Sequence, residues 1–471
     1  MGVIKIHKYK LALIYILYIS ILNIIGLNTM IMSSLIIIFL IILDIKEKNL
    51  TKILIYSAFS SSYIVIQVMI IYSLLRFIIR KMKIEKDHNY KVMISFLFIV
   101  IISYSVSLIK DFTFIPIILY CGTTLFAYSV YFIFRSEKKI ELESFYYLAK
   151  FQIIPVTYQI ITSILKGNYF PDIIVGTVGD CNMLVIFLVI YLILLAQDKD
   201  INMRKKIINI IIYGLIIFMA EAKVVLTILS LSILVTFILM KKYKNMFLKL
   251  AIIFLGCSSI IISTVLLIQP LVEIFKEYQI VEYINNDSRN MKFKAYSYTF
   301  TQLNFVEDVI GVGVGRYGSK AANSLAYDTM YKDESAIKLP KFIKARTNEK
   351  YKYVASMSTK DFYDQIKWTS GILSYPQSSI ITIKGELGYA GLIVLLIFAT
   401  INIMYLKKNI LFKKNKKESY CSIILILFFI LANFFDNYLE MNNLILVFSF
   451  ILASAYSKIS LGKCDTLCIK K

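Results

Sequence analysis

Apolar residues run along this chain in blocks of about 16–25, each broken by glycine, proline or a charge cluster. A block of that length can cross a hydrocarbon layer of about 30 Å as a helix. The pattern predicts spans near 11–26, 30–43, 53–75, 92–109, 113–134, 145–165, 181–196, 207–220, 223–240, 249–268, 383–406, 420–435 and 443–457. Lysine and arginine gather in the links 76–91, 135–143, 197–206, 241–249 and 407–418 and in the tail 458–471. If the spans alternate, all of these links fall on one side, and the positive-inside rule makes that side the cytoplasm. The other side receives 110–112, 166–180, the turn near Glu221, the link 436–442 and one long segment, 269–382.

Composition agrees with that pattern. Of 471 residues, 58% are hydrophobic and 18% charged, with a mean hydropathy of +0.70. A soluble domain carries about 45–50% apolar and roughly 25% charged residues. The net charge of +23 would suggest a nucleic-acid binder, but the charge sits in the short links between spans. The chain reads as an all-α polytopic membrane protein with about 12–14 transmembrane helices and one long extracytoplasmic loop containing short helices. Its divisions are an N-terminal bundle (1–268), the loop (269–382), and C-terminal helices with a cytoplasmic tail (383–471). Thirteen spans leave the two basic termini on opposite sides. Ser60-Ser61-Ser62 offers a place to break the 53–75 block into two passes. Six scattered cysteines imply no disulfide framework. No small-residue cleavage site follows the first apolar block, which argues against a signal peptide.

The long segment holds about 15 basic and 12 acidic residues, eleven tyrosines and Trp368, the only tryptophan of the chain. So many aromatics argue against disorder, and loops of this length are uncommon unless functional. Tyrosine and tryptophan rings suit sugar faces, and equally suit a membrane interface. Both histidines, His7 and His88, lie in predicted cytoplasmic flanks, and no Cys/His cluster has metal-ligand spacing. Gly311-Val312-Gly313-Val314-Gly315-Arg316 lacks the Gly-Lys-Ser/Thr ending of a phosphate loop. What it offers is backbone freedom for positive φ and close approach. Ala220-Glu221-Ala222-Lys223 interrupts an otherwise apolar run over 207–240, with no turn-forming residue. A solvated Glu–Lys turn and a charged pair lining a cavity both fit. Arg289 and Arg316 could grip a phosphate bidentately or be ordinary surface charges.

Several segments, taken in order, resemble the O-antigen polymerase and O-antigen ligase superfamily of bacterial membrane glycosyltransferases. Ser288-Arg289, followed about twenty residues later by Ile310-Gly311-Val312-Gly313-Val314-Gly315, is similar to that family's Arg and Gly-x-Gly turn. Pro376-Gln377-Ser378-Ser379 with Glu386-Leu387-Gly388-Tyr389-Ala390-Gly391-Leu392 resembles its closing motif. Glu221-Ala222-Lys223 stands where the family often has Ser-Arg, and Gly179-Asp180-Cys181-Asn182 resembles its turn with Asn opening a span. The resemblance covers roughly residues 170–455. Two departures, Gln377 for the ligase branch's His and Lys223 for Arg, point toward the polymerase branch.

The resemblance implies transfer of a growing glycan from a polyprenyl-pyrophosphate carrier onto a lipid-linked repeat unit, at the outer leaflet of the bacterial inner membrane. No cofactor or metal is implied, because the carrier is its own leaving group. Arg289 and Lys223 are expected to bind pyrophosphate, with Glu221 orienting them or accepting a proton. Arg316, Gln377, Gly313, Gly315 and Asn182 are expected on the substrate side. Expected partners are the lipid-linked oligosaccharide, membrane lipid, and a flippase and chain-length regulator of the same route, with no nucleic acid. A ligase-like transferase and a lipid-linked oligosaccharide flippase are the alternatives.

Overall fold

The computed structural model describes residues 2–110, 114–137, 140, 142–167, 174–198, 201–220, 222–240, 296–297, 299–322, 378–412 and 415–457. The side chains of 2–8, 109–110 and 223 lie outside that description. Every regular element among the described residues is helical. The first helices are α1 (Gly2–Ile25), α2 (Thr29–Glu47), α3 (Leu50–Ser57), α4 (Tyr63–Ile79) and α5 (His88–Lys110). A composite helix follows: α6 (Ile115–Tyr120), a π turn (Cys121–Leu125) and α7 (Phe126–Ser136). After these come α8 (Leu142–Phe151), α9 (Ile153–Leu165), α10 (Cys181–Gln197), α11 (Met203–Met219) and α12 (Lys223–Leu239). The last group is α13 (Phe305–Ile310), α14 (Ser379–Leu411), α15 (Lys416–Ala432), a 3-10 turn (Tyr438–Glu440) and α16 (Asn442–Tyr456).

Among the described residues, five stretches are long and apolar enough to cross a membrane: Thr29–Glu47, His88–Leu108, Ile115–Ser136, Leu142–Leu165 and Ser379–Leu411. Their outward faces stay apolar. Ile42, Phe98, Ile101, Ile118, Ile164 and Leu396 are each more than half exposed. So wide an exposed apolar surface is foreign to a water-facing monomer and suits a lipid-facing one. The chain is a helical membrane protein in this coarse sense.

Two elements depart from the spans expected from sequence. The 53–75 block is not one helix. α3 has only 8 residues, all buried, and at 1.5 Å per residue reaches about 12 Å. It unwinds at 58–62, where the three serines stand, before α4 begins with Ser62 as its N-cap. The unwound carbonyls of Ala58 and Ser60 accept from the Asn443 side chain at 3.0 and 3.2 Å. Tyr15 donates to the carbonyl of Tyr56 at 2.7 Å. Irregular backbone of this kind is tolerated deep in a bundle when protein groups satisfy it. The 383–406 block is also longer than expected. α14 starts at Ser379 and bends at Gly388, whose φ of 66° and ψ of −164° are not helical.

Polar side chains divide between the two ends of the bundle. At the basic end, Arg76 and Arg80 meet Asp44 at 3.0 and 3.5 Å, and Lys52 meets Glu47 at 3.1 Å. Arg135 pairs there with Glu85 and with Asp87, the latter at 3.5 Å, and Lys417 reaches Asp198 at 3.6 Å. The opposite end gathers 58–62, the starts of α10 and α14, the 304–322 segment and the 433–443 turn.

Candidate functional site

At that opposite end, the first and last described parts of the long loop meet. Asn304 caps α13 and forms a capping box with Glu307. The glycine run then folds over the first two turns of α14. Gly311 (φ 82°) lies against the Glu386–Leu387 peptide, where an added Cβ would stand 2.2 Å from the Glu386 carbonyl. Gly388 lies against the Val309–Ile310 peptide, where the same atom would stand 2.3 Å from backbone. Two main chains therefore touch without side chains between them, and the Val312 N–H donates to the Gly385 carbonyl at 2.8 Å.

The buried carboxylate of Glu386 is the centre of this contact. Its Oε2 accepts the N–H of Gly315 at 2.9 Å. Its Oε1 accepts those of Tyr317, Gly318 and Ser319 at 3.1, 3.2 and 3.0 Å. Successive backbone N–H groups pointing inward make an anion cradle, and here a carboxylate from the same chain fills it. The glycine loop is thus a latch onto α14. Ser103 of α5 donates to the Glu386 carbonyl at 2.5 Å and Thr382 to the Gly318 carbonyl at 3.2 Å. Lys384, also buried, donates to Asp308 at 2.5 Å and lies 4.1 Å from the Tyr389 ring centre.

A second carboxylate holds the far side of the loop. Glu440 accepts from the Lys320 N–H and from Asn437 Nδ2, both at 2.7 Å, and from the Thr124 hydroxyl at 3.2 Å. The π turn over Cys121–Leu125 contains Thr124, and such turns frequently mark functional places. Lys320 Nζ donates to the Glu440 carbonyl at 2.6 Å. Burial, and then the nearby Glu386 charge, push Glu440 up to about 7, with Lys320 and Thr124 opposing. Burial lowers Lys320, while Glu440 and Asp436 pull it back.

Beside both lies the start of α14. Ser378 donates to the Asn433 carbonyl at 2.8 Å, and the Tyr296 hydroxyl lies 2.5 Å from Ser378 Oγ and 2.7 Å from the Phe434 carbonyl. Ser379 donates to Asn437 at 2.9 Å. Asn433 is buried, and neither atom of its side-chain amide is hydrogen-bonded among the described residues.

The residues expected from sequence fall into three groups. Gly313 (φ 115°) and Gly315 (φ 71°) sit in the latch, pressed against Ser107 and Pro116, and Arg316 lies beside them. Arg316 is 1% exposed and near enough to Tyr104 of α5 to act on it electrostatically. Asn182 is half-buried in the first turn of α10, whose N-cap Asp180 acts on Tyr438 of the 433–443 turn. Lys223 opens α12, though its side chain is outside the description. Glu221, Arg289 and Gln377 lie outside the described residues.

Sequence reasoning passed over Glu440, Lys320, Thr124 and Asn433. The density of Asp, Asn and Glu between 433 and 443, flanked by apolar helices, was the available signal. Among the described residues, no group of three His, Cys, Asp or Glu side chains could hold a metal ion. A scan against protein-family models finds no match for this chain, and a search of curated proteins finds no relative.

Proposed function

We propose that the chain polymerises polyprenyl-pyrophosphate-linked oligosaccharide repeat units at the outer leaflet of a bacterial inner membrane. The observation carrying this reading is spatial. Two segments of the resemblance that are some seventy residues apart, the glycine run and the Glu386–Gly388 turn, interlock at one end of the bundle. The topology that accompanies the reading has fourteen crossings. α3 with 58–62 and α4 count separately, α6–α7 and α8–α9 count once each, and the sequence-predicted span 249–268 is included. Both termini are then cytoplasmic, and the latch and the long loop face outward.

In the proposed reaction, an acceptor sugar hydroxyl attacks the anomeric carbon of the donor glycan. A C–O bond forms there as the C–O bond to pyrophosphate breaks, and polyprenyl pyrophosphate leaves with the electron pair. Glu221 takes the hydroxyl proton and passes it to water. Arg289 and Lys223 stabilise the departing charge, and Gln377 orients sugar hydroxyls. In sequence Gln377 immediately precedes Ser378, the N-cap of α14. The latch ties to α14 the part of the loop that lies between Arg289 and Gln377 in sequence.

The test is surface glycan length in a deletion strain complemented with variants. Losing one charge-assisted contact costs about 1.5–3 kcal/mol, roughly a tenfold to hundredfold loss of rate if the contact tightens in the transition state. Arg289→Ala and Lys223→Ala should each collapse the ladder toward single repeats at matched membrane expression. Wild-type ladders from both would overturn the assignment. Single repeats held only on the cytoplasmic leaflet of the deletion strain would favour a flippase.

A further inference from the structure

The basic end of the bundle carries a feature that the proposed reaction does not use. A charged cavity of about 470 Å³ opens between the link before α5, the start of α5 and the ends of α7, α14 and α16. A second, apolar cavity of about 150 Å³ lies among α5, α7, α14 and α16. The two are in register on every shared helix. His88 and Lys91 line the first, and Val92 and Phe96, about one turn deeper, line the second. Arg135 is followed inward by Phe132, Tyr405 by Phe398, and Tyr456 by Leu452. A charged compartment stacked on an apolar one has the outline of an amphiphile.

The wall between them is built. Tyr456 donates to Asn402 at 2.8 Å, Asn402 to Asn89 at 2.7 Å, Asn89 to Tyr131 at 2.9 Å and Tyr131 to Asp87 at 2.6 Å. Tyr405 and Tyr456 stack at 4.2 Å and 13°. Buried Arg135 is matched by Glu85 and Asp87. Lys86 and Lys91 are exposed, with no carboxylate at salt-bridge distance among the described residues. The lining therefore has three cations, Lys86, Lys91 and Arg135, against two anions, Glu85 and Asp87. Below it, Met93, Phe96, Phe132 and Phe398 are only half-buried, which leaves a lateral way into the apolar compartment.

We infer that the stacked cavities form a site for one anionic glycerophospholipid, with its phosphate among Lys86, Lys91 and His88 and an acyl chain beside Val92, Phe132 and Phe398. Basic pockets between membrane helices at the cytoplasmic side recognise anionic headgroups. The inference rests on the placement of the chain in a membrane, with this end cytoplasmic, and not on the reaction at the other end.

Native mass spectrometry of the purified full chain, titrated with dioleoyl-phosphatidylglycerol or dioleoyl-phosphatidylcholine, tests it. One phosphatidylglycerol should bind roughly tenfold or more tightly than phosphatidylcholine, the scale set by two lysines near a headgroup. The double charge reversal K86E/K91E, at exposed positions, should erase that preference with an unchanged melting temperature. Ser449→Leu, which narrows the apolar compartment, should weaken both lipids. Equal affinities in the wild type, or a preference that survives K86E/K91E, would overturn the inference. So would displacement of phosphatidylglycerol by equimolar glycerol 3-phosphate, which has no tail, or tighter binding of decaprenyl phosphate. A chain that binds phosphatidylglycerol this way yet elongates no glycan refutes the proposed function alone.

Discussion

Replacing Glu386 probes the latch directly, because the structure states what each replacement removes. The carboxylate accepts four buried backbone N–H groups, at 2.9, 3.1, 3.2 and 3.0 Å. Alanine leaves all four without an acceptor, and each stranded donor costs about 1–3 kcal/mol. The lower bound is about 4 kcal/mol, enough for the 311–322 segment to leave α14 before the bundle unfolds. Glutamine keeps one oxygen, which can serve the three N–H groups on the Oε1 side. Its NH2 then faces the Gly315 N–H, so one bond is lost at about 1–3 kcal/mol. Hydrogen exchange on the purified chain in detergent reads both. Protection of the 315–319 amides should fall roughly a thousandfold in Glu386→Ala and about ten- to a hundredfold in Glu386→Gln. Exchange in Glu386→Ala within tenfold of wild type would refute the argument that this carboxylate holds the loop.

Gly311→Ala and Gly388→Ala each push a Cβ to within 2.3 Å of backbone at positive φ. Each should destabilise by roughly 2–5 kcal/mol. Gly122→Ala meets nothing within 4 Å and should melt at or slightly above wild type, so three equal melting temperatures would contradict this packing. Glu440 has its folded value at about 7, above the usual 4.5. The stability it contributes is therefore full below pH 4.5 and is lost as pH rises through about 7, by about 3 kcal/mol. Glu440→Gln can accept from Lys320 and Asn437 and donate to Thr124, and it does not titrate. Melting curves of wild type and variant should diverge between pH 5 and pH 8, the wild type falling further. Parallel curves would dismiss the buried-carboxylate assignment.

Much of the helical plan was legible because hydrophobic length and link charge are local properties. The break at 58–62 was visible only as a run of serines. What makes it a break is tertiary: Asn443, almost four hundred residues away, satisfies the freed carbonyls. The predicted span 383–406 runs straight through the bend at Gly388, because the apolar run that follows it carries no break. The bend exists because Gly311 must approach Glu386 backbone to backbone. The glycine run could be read as a place of close approach, but its partner could not. In the sequence Glu386 reads as a support for the turn where the loop re-enters the membrane, but the four N–H groups of the loop that it holds are not announced by any local pattern. Glu440 and Lys320 went unnoticed because neither has a sequence neighbour that suggests the other.

The central claim, elongation of a lipid-linked glycan by this chain, is tested most directly by supplying the purified protein with its proposed substrate. Proteoliposomes containing only the chain, given polyprenyl-pyrophosphate-linked repeat units, should produce a ladder of two, three and more repeats and release polyprenyl pyrophosphate one for one with each new linkage. The same vesicles carrying Arg289→Ala should yield roughly ten- to a hundredfold less product per protein, the loss expected for one charge-assisted contact. Repeat units that cross the bilayer and remain single, with no pyrophosphate carrier released, would contradict the account.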